Sequence, residues 1–245
     1  MTGKTEFGQV RQLVSNPKSA TRRGLPLWKR LLDLILVLAT APFWLVFVVA
    51  IAIWIKVVSP GSIFFFQERL GYRGRRFMIF KFRTMEVNAE TRSHEEHLQH
   101  LINSDCPMTK LDASGDRRII FGGRLLRATG LDELPQLFNV LRGEMSLIGP
   151  RPCTPQEYLH YKPWQAERLN AFPGLTGYWQ VNGKNKTTFS EMIEMDIHYA
   201  RNLSPSLDLL IIFKTFPAIL QQLTESKLPV PDQKISVQPI TRKAA

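Results

Sequence analysis

The amino-acid sequence predicts an α+β, mostly helical protein. It should have an N-terminal re-entrant membrane helix hairpin, a small β-hairpin, and a following domain with amphipathic surface helices. Three observations lead there. The run Leu34–Ile55, 22 residues, carries no charged side chain and has cations on both flanks. The segment after it alternates aromatic and charged residues about a glycine-bearing turn. Farther on, residues 131–141 and 206–223 space their apolar side chains at helical intervals.

A chain of 245 residues allows one domain of ordinary size, or one domain with an anchor and a tail. With 44% hydrophobic and 22% charged residues it can bury a core and is not disordered overall. Its two cysteines, Cys106 and Cys153, are too few for a disulfide framework and lack CxxC spacing, so they read as reduced cytosolic thiols. The net charge of +11 leaves nucleic acid, anionic lipid or a phosphorylated substrate as partners.

Residues 1–28 form a basic arm, and residues 29–58 form the anchor. The apolar run is long enough to cross a bilayer, and its polar, basic leader without a small-residue cleavage site excludes a removable signal peptide. Lys18, Arg22, Arg23, Lys29 and Arg30 precede the run, and Lys56, Arg69, Arg73, Arg75, Arg76, Lys81 and Arg83 follow it. Basic flanks favour the cytoplasmic side, and one straight span cannot put both there. Pro42 removes a backbone donor inside the run, so a helix that breaks and returns to the same face satisfies both flanks. A single span and a buried soluble helix are the competing readings.

The hairpin follows, with one strand at Ile63–Gln67, a turn at Gly71–Gly74 and a return strand at Arg76–Arg83. Alternation in Phe80-Lys81-Phe82-Arg83 puts both rings on one face and both cations on the other. Residues 86–103 read as a polar helix bearing His94, His97 and His100, whose spacing fails the HExxH zinc pattern. The helix at 206–223 is amphipathic, suited to a core or a membrane surface. Beyond it, residues 226–245 read as a loose tail.

The richest chemistry lies in Arg124–Gly143. Leu131, Leu134, Leu137, Phe138 and Leu141 recur at helical spacing, so a helix starts near Gly130, with Pro135 tolerated only in its first turn. Asp132 and Glu133 then sit at the positive end of a helix, where phosphate also binds. Arg124 and Arg127 lie one turn apart just upstream. Downstream, Pro150-Arg151-Pro152 is a rigid turn holding another cation. A carboxylate among cations stays ionised and can attack phosphorus. Adjacent helical carboxylates diverge by about 100°, which suits one nucleophile plus one metal ligand or proton carrier better than an opposed glycosidase pair.

Four ordered motifs carry a resemblance: Lys81-Phe-Arg-Thr-Met85, Leu131-Asp-Glu-Leu-Pro-Gln-Leu-Phe-Asn-Val-Leu141, Met145-Ser-Leu-Ile-Gly-Pro-Arg-Pro152 and Pro173-Gly-Leu-Thr-Gly-Tyr-Trp-Gln-Val-Asn-Gly183. Over about Trp28 to Gln222 the chain resembles the bacterial sugar transferases, the monotopic polyprenyl-phosphate phosphoglycosyl transferases, in their minimal catalytic form. The resemblance implies transfer of sugar 1-phosphate from a UDP-sugar to polyprenyl (undecaprenyl) phosphate with release of UMP, using Mg²⁺. It implies Asp132 as the nucleophile forming a covalent phosphosugar intermediate, Glu133 as its partner, and a metal on this dyad. It implies a helix broken at Pro42 in the bacterial inner membrane and a cytoplasmic catalytic domain, residues 59–225. Under this reading Lys81, Arg83, Arg127 and Arg151 position the diphosphate, and Arg124, Gln180 and Asn182 complete the phosphate- and nucleotide-binding set. Gly130 stands where many members have serine, and Lys184 where they often have arginine. Inner-membrane lipid is an expected partner, nucleic acid is not, and a homo-oligomer stays open. The rival classes are a membrane-anchored nucleic-acid binder, which leaves the dyad unexplained, and a non-catalytic membrane scaffold.

Overall fold

The computed structural model describes residues 24–87, 99–102, 104, 106–108 and 118–225. The first 23 residues of the arm, most of the polar histidine-bearing helix and the tail at 226–245 lie outside these; residues 99–102 are helical.

The anchor is two helices, α1 (Leu27–Ala39) and α2 (Ala41–Val58), separated at Thr40. Pro42 lies in the first turn of α2, where its missing N–H has no intrahelical partner to lose. The break frees carbonyls at the end of α1. Thr40 Oγ1 donates to Leu36 O at 2.7 Å, and the Trp44 indole N–H donates to Val37 O at 3.0 Å. Each helix buries one stripe: Lys29, Asp33 and Val37 on α1, and Trp44, Val48, Ile51 and Ile55 on α2. The other faces expose apolar side chains, among them Leu31, Ile35, Phe43, Val46, Phe47, Ile53 and Val57.

Strands β1 (Phe64–Leu70) and β2 (Arg76–Phe82) pair antiparallel with Phe64 opposite Phe82. The turn between them holds Arg73 at φ 55°. Phe64 stacks on Phe82 at 5.6 Å, and Phe66 meets Phe80 edge-on at 5.2 Å. Next come α3 (Gly123–Thr129), a 3₁₀ turn at Leu131–Glu133, and α4 (Gln136–Arg142). The continuous helix expected from Gly130 is thus divided. Pro135 has no N–H to donate back into the preceding turn, so α4 starts after it and the dyad occupies the 3₁₀ turn.

A second sheet escaped the sequence reading. Strands β3 (Ser146–Ile148) and β4 (Gly174–Thr176) pair parallel, each too short to show alternation. Their crossing is glycine-dependent: a Cβ at Gly149 would lie 2.0 Å from Phe172 O. Helices α5 (Pro155–Leu159) and α6 (Tyr178–Asn182), and a 3₁₀ stretch at Pro163–Asn170, surround α7 (Phe189–Arg201). Thr188 and Glu191 form a capping box at the α7 N-terminus.

Helix α8 (Pro205–Glu225) covers the predicted amphipathic segment. It buries Asp208 and Ile211 and exposes Leu209, Leu210, Phe213, Phe216 and Leu220. A buried polar cluster ties it to the anchor. Lys29 Nζ donates to Asp208 Oδ2 at 2.5 Å and to the Tyr199 hydroxyl at 3.0 Å; Tyr199 in turn donates to Asp208 Oδ1 at 2.6 Å. Asp33 accepts from Ser146 Oγ and Leu147 N, both at 3.0 Å. Both α2 and α8 are long and apolar enough to cross a membrane, and most of each is unburied. Exposed apolar surface of this extent is consistent with membrane association.

Candidate active site

Gly130 separates α3 from the dyad turn. Its φ of 74° and ψ of 8° lie in the left-handed region, which a side chain would strain. That reversal starts the 3₁₀ turn carrying Asp132, which is buried, and Glu133, which is half-buried. The Thr129 hydroxyl, within reach of Leu131 N at 3.4 Å, braces the same corner.

Lys81 reaches the turn from β2. Its Nζ stands 2.5 Å from Glu133 Oε1, joining residues far apart in sequence. Asn139, fully buried on α4, fixes the strand beside it. Its Oδ1 accepts from Phe80 N at 3.1 Å, and its Nδ2 donates to Met78 O at 2.7 Å. Removal from water raises the Glu133 carboxyl, but Lys81, by charge and by hydrogen bond, outweighs this. With Arg151 and Lys184 behind Lys81, the carboxyl is held down at about 2. The site therefore gathers three cations toward one carboxylate, next to a second, buried carboxylate.

The structure distributes the other predicted residues unevenly. Arg151 is exposed at the Pro150–Pro152 turn and acts on Glu133 through its charge. Arg127 is half-buried on α3, and its carbonyl lies 3.5 Å from Gln222 Nε2. Arg124 is exposed on the same helix. Gln180 has a buried Oε1 with no hydrogen-bond partner among the described residues. Asn182 accepts from Lys214 of α8 at 2.9 Å. Arg83 is buried, and its donors are taken up by the chain leaving the anchor. They meet Ser62 O, Ser59 Oγ, Ser59 O, Pro60 O and Met85 O at 2.5 to 3.3 Å. The return strand ends at Phe82, one residue short of Arg83, and Lys81 and Arg83 meet different partners. Pro42 lies at the anchor break, away from the dyad turn in sequence.

Sequence reasoning missed the supports behind the site. Arg69 Nη1 donates to Pro152 O, and Arg168 Nη2 donates to Arg151 O, both at 3.0 Å. Arg168 also pairs with Asp196 at 2.5 Å and with Glu157 at 3.4 Å. No spacing signal marked these residues. Lys184, at φ 27°, donates to Gln222 Oε1 at 2.5 Å. Cys153 is a buried free thiol, pushed up to about 12 by burial and then by Glu157, so it is inert at neutral pH.

The resemblance implies Mg²⁺. Among the described residues no group of three or more His, Cys, Asp or Glu converges as a metal cage. Mg²⁺ is typically held by one or two carboxylates together with substrate phosphates. Asp132 and Glu133, with Glu133 kept ionised, fit that mode.

The fold and site together define a helical, apolar-surfaced protein built around a carboxylate dyad faced by cations. The bacterial sugar transferase family model matches residues 25–222, and the chain belongs to that family. It is 39% identical over 165 residues to the exopolysaccharide production protein ExoY of Sinorhizobium fredii, covering 67% of this chain and 73% of that protein. It is 39% identical over 205 residues to the UDP-glucose:undecaprenyl-phosphate glucose-1-phosphate transferase of Xanthomonas campestris, covering 80% of this chain and 39% of that one. It is 37% identical over 179 residues to the undecaprenyl-phosphate galactose phosphotransferase of Salmonella typhimurium, covering 70% and 36%. The chain thus spans under half the length of the latter two relatives.

Proposed function

We propose that the protein transfers sugar 1-phosphate from a UDP-sugar to polyprenyl phosphate at a membrane surface. The observation that carries this reading is the Lys81–Glu133 contact beside buried Asp132, on a turn set by Gly130. Relatives named for undecaprenyl phosphate, one of them also for UDP-glucose, support it.

An Asp132 carboxylate oxygen attacks the phosphorus that bears the sugar. The new O–P bond forms as the bond to the UMP oxygen breaks, and UMP leaves with that electron pair. Polyprenyl phosphate then attacks the same phosphorus through one of its oxygens. The aspartyl O–P bond breaks, the carboxylate is regenerated, and a polyprenyl diphosphosugar is released. Lys81 and Arg151 hold the diphosphate oxygens and offset the charge that gathers on them. Asp132 and Glu133 would hold Mg²⁺, which would further neutralise phosphoryl charge.

The anchor works as a re-entrant hairpin. Its two outer ends are tied to one body, Lys29 to Asp208 of α8 and Ser59 to Arg83 just past β2, while the break at Thr40 lies between. With apolar faces of α1, α2 and α8 in lipid, the dyad meets a lipid phosphate at headgroup depth and a soluble nucleotide from the cytoplasm. The test is UMP release by purified protein in micelles, with undecaprenyl phosphate, across a panel of UDP-sugars. Release from at least one sugar, dependent on Mg²⁺, is expected; release from none would overturn the reading.

A further inference from the structure

We infer that Arg69 and Arg168 are positioning residues for Arg151, clamping its own carbonyl and the next one so that its guanidinium meets a diphosphate in one geometry. The inference rests on the proposed function and deepens it.

Arg151 stands between two prolines. Pro152 restricts Arg151 to extended backbone, and both prolines lack an N–H with which to anchor the turn. Carbonyls must therefore hold it. Arg168 Nη2 takes Arg151 O and Arg69 Nη1 takes Pro152 O, each at 3.0 Å, so consecutive peptide units are gripped from within the core. Leu70 N on Cys153 O at 2.9 Å and Gly174 N on Pro150 O at 2.9 Å extend the grip in both directions. The Arg151 side chain alone remains exposed, and its charge bears on Glu133.

The cost of the clamp points to function. Arg69 is 8% exposed, and among the described residues it has no carboxylate at ion-pair distance; its other contact is Gln67 Oε1 at 2.6 Å. Burial and the neighbouring Arg151 charge disfavour the Arg69 guanidinium, and Glu157 and Glu133 offset only part of this, so an apolar residue would serve stability better. Arg168, by contrast, pairs with Asp196 through the same Nη2 that donates to Arg151 O, and its Nη1 donates to the Tyr161 hydroxyl, the Asp196 and Tyr161 contacts both at 2.5 Å. Two guanidiniums that keep a third in place make sense if the third must meet a diphosphate in one geometry.

The test is a double-mutant cycle on UMP release, using the UDP-sugar that the wild type turns over fastest. Arg69→Met alone should lower kcat/KM by about 10- to 100-fold, the scale of a small misplacement of a charged group. In an Arg151→Ala background the same change should cost less than about twofold, because there is no guanidinium left to position. An equal loss in both backgrounds would overturn the inference and leave Arg69 merely structural. Arg69→Lys, which keeps the charge and one donor, runs the same cycle if the methionine variant fails to fold. Absence of wild-type turnover would instead sink the proposed function, so the two failures are distinguishable.

Discussion

Lys81 Nζ and Glu133 Oε1 stand 2.5 Å apart, joining the second strand of the hairpin to the dyad turn. Glu133 sits at about 2 when folded, against an ordinary 4.5. Its contribution to stability is therefore complete above the unfolded value and disappears as pH falls toward the folded one. In Lys81→Met, burial still raises the carboxyl while the leading opposing charge is gone, with only Arg151 and Lys184 remaining. The acid limb of kcat/KM should move to higher pH. Superimposable pH–rate profiles for wild type and variant would show that Lys81 does not govern Glu133.

Arg83 separates stability from binding. Arg83→Met leaves buried acceptors in the Ser59–Ser62 loop unpaired and should cost about 3 kcal/mol, seen as a lower thermal midpoint in micelles. Below that midpoint, KM for the nucleotide sugar should stay within about twofold of wild type. A raised KM with unchanged melting would assign Arg83 to the phosphate-binding set.

The Lys29–Asp208 pair is buried on both sides, at 1% and 0% side-chain exposure. Asp208→Ala strands an ammonium in the core and should cost about 3–5 kcal/mol, whereas Lys29→Met with Asp208→Leu should recover most of it. Denaturant melts of the single and double variants check this. If the double variant is as unstable as Asp208→Ala, the ammonium is not the source of the loss.

Which parts were legible in the sequence follows from how far each signal reaches. The anchor break, the β-hairpin and α8 are local patterns of charge, alternation and helical spacing, and the structure forms them where those patterns fall. The adjacent carboxylates could be read as a pair, but the cations that bear on Glu133, Lys81, Arg151 and Lys184, come from distant segments, and the neighbouring Arg124 and Arg127 are not among them. Three things were not legible. The 3₁₀ turn at the dyad depends on Pro135 dividing what the leucine spacing reads as one helix. The β3–β4 pair is only three residues per strand and joins distant segments. Arg69 and Arg168 sit in polar stretches whose periodicity says nothing of the carbonyls they hold.

Topology has a direct test. Gly24 and Ser62 are exposed just outside the two ends of the anchor, whereas Ser59 is buried against Arg83. Gly24→Cys and Ser62→Cys should both react with a membrane-impermeant maleimide only in inverted vesicles. Labelling of the two from opposite sides would show that the segment spans the bilayer.

The central claim is attack by Asp132 on phosphorus, and the covalent intermediate tests it most directly. Protein incubated with a turned-over UDP-sugar in the absence of polyprenyl phosphate, then acid-quenched and digested, should carry a phosphosugar mass on the peptide containing Asp132. Asp132→Asn should abolish both this adduct and UMP release, since an amide cannot supply the attacking oxygen. A phosphosugar on another residue, or full turnover by Asp132→Asn, would contradict the mechanism.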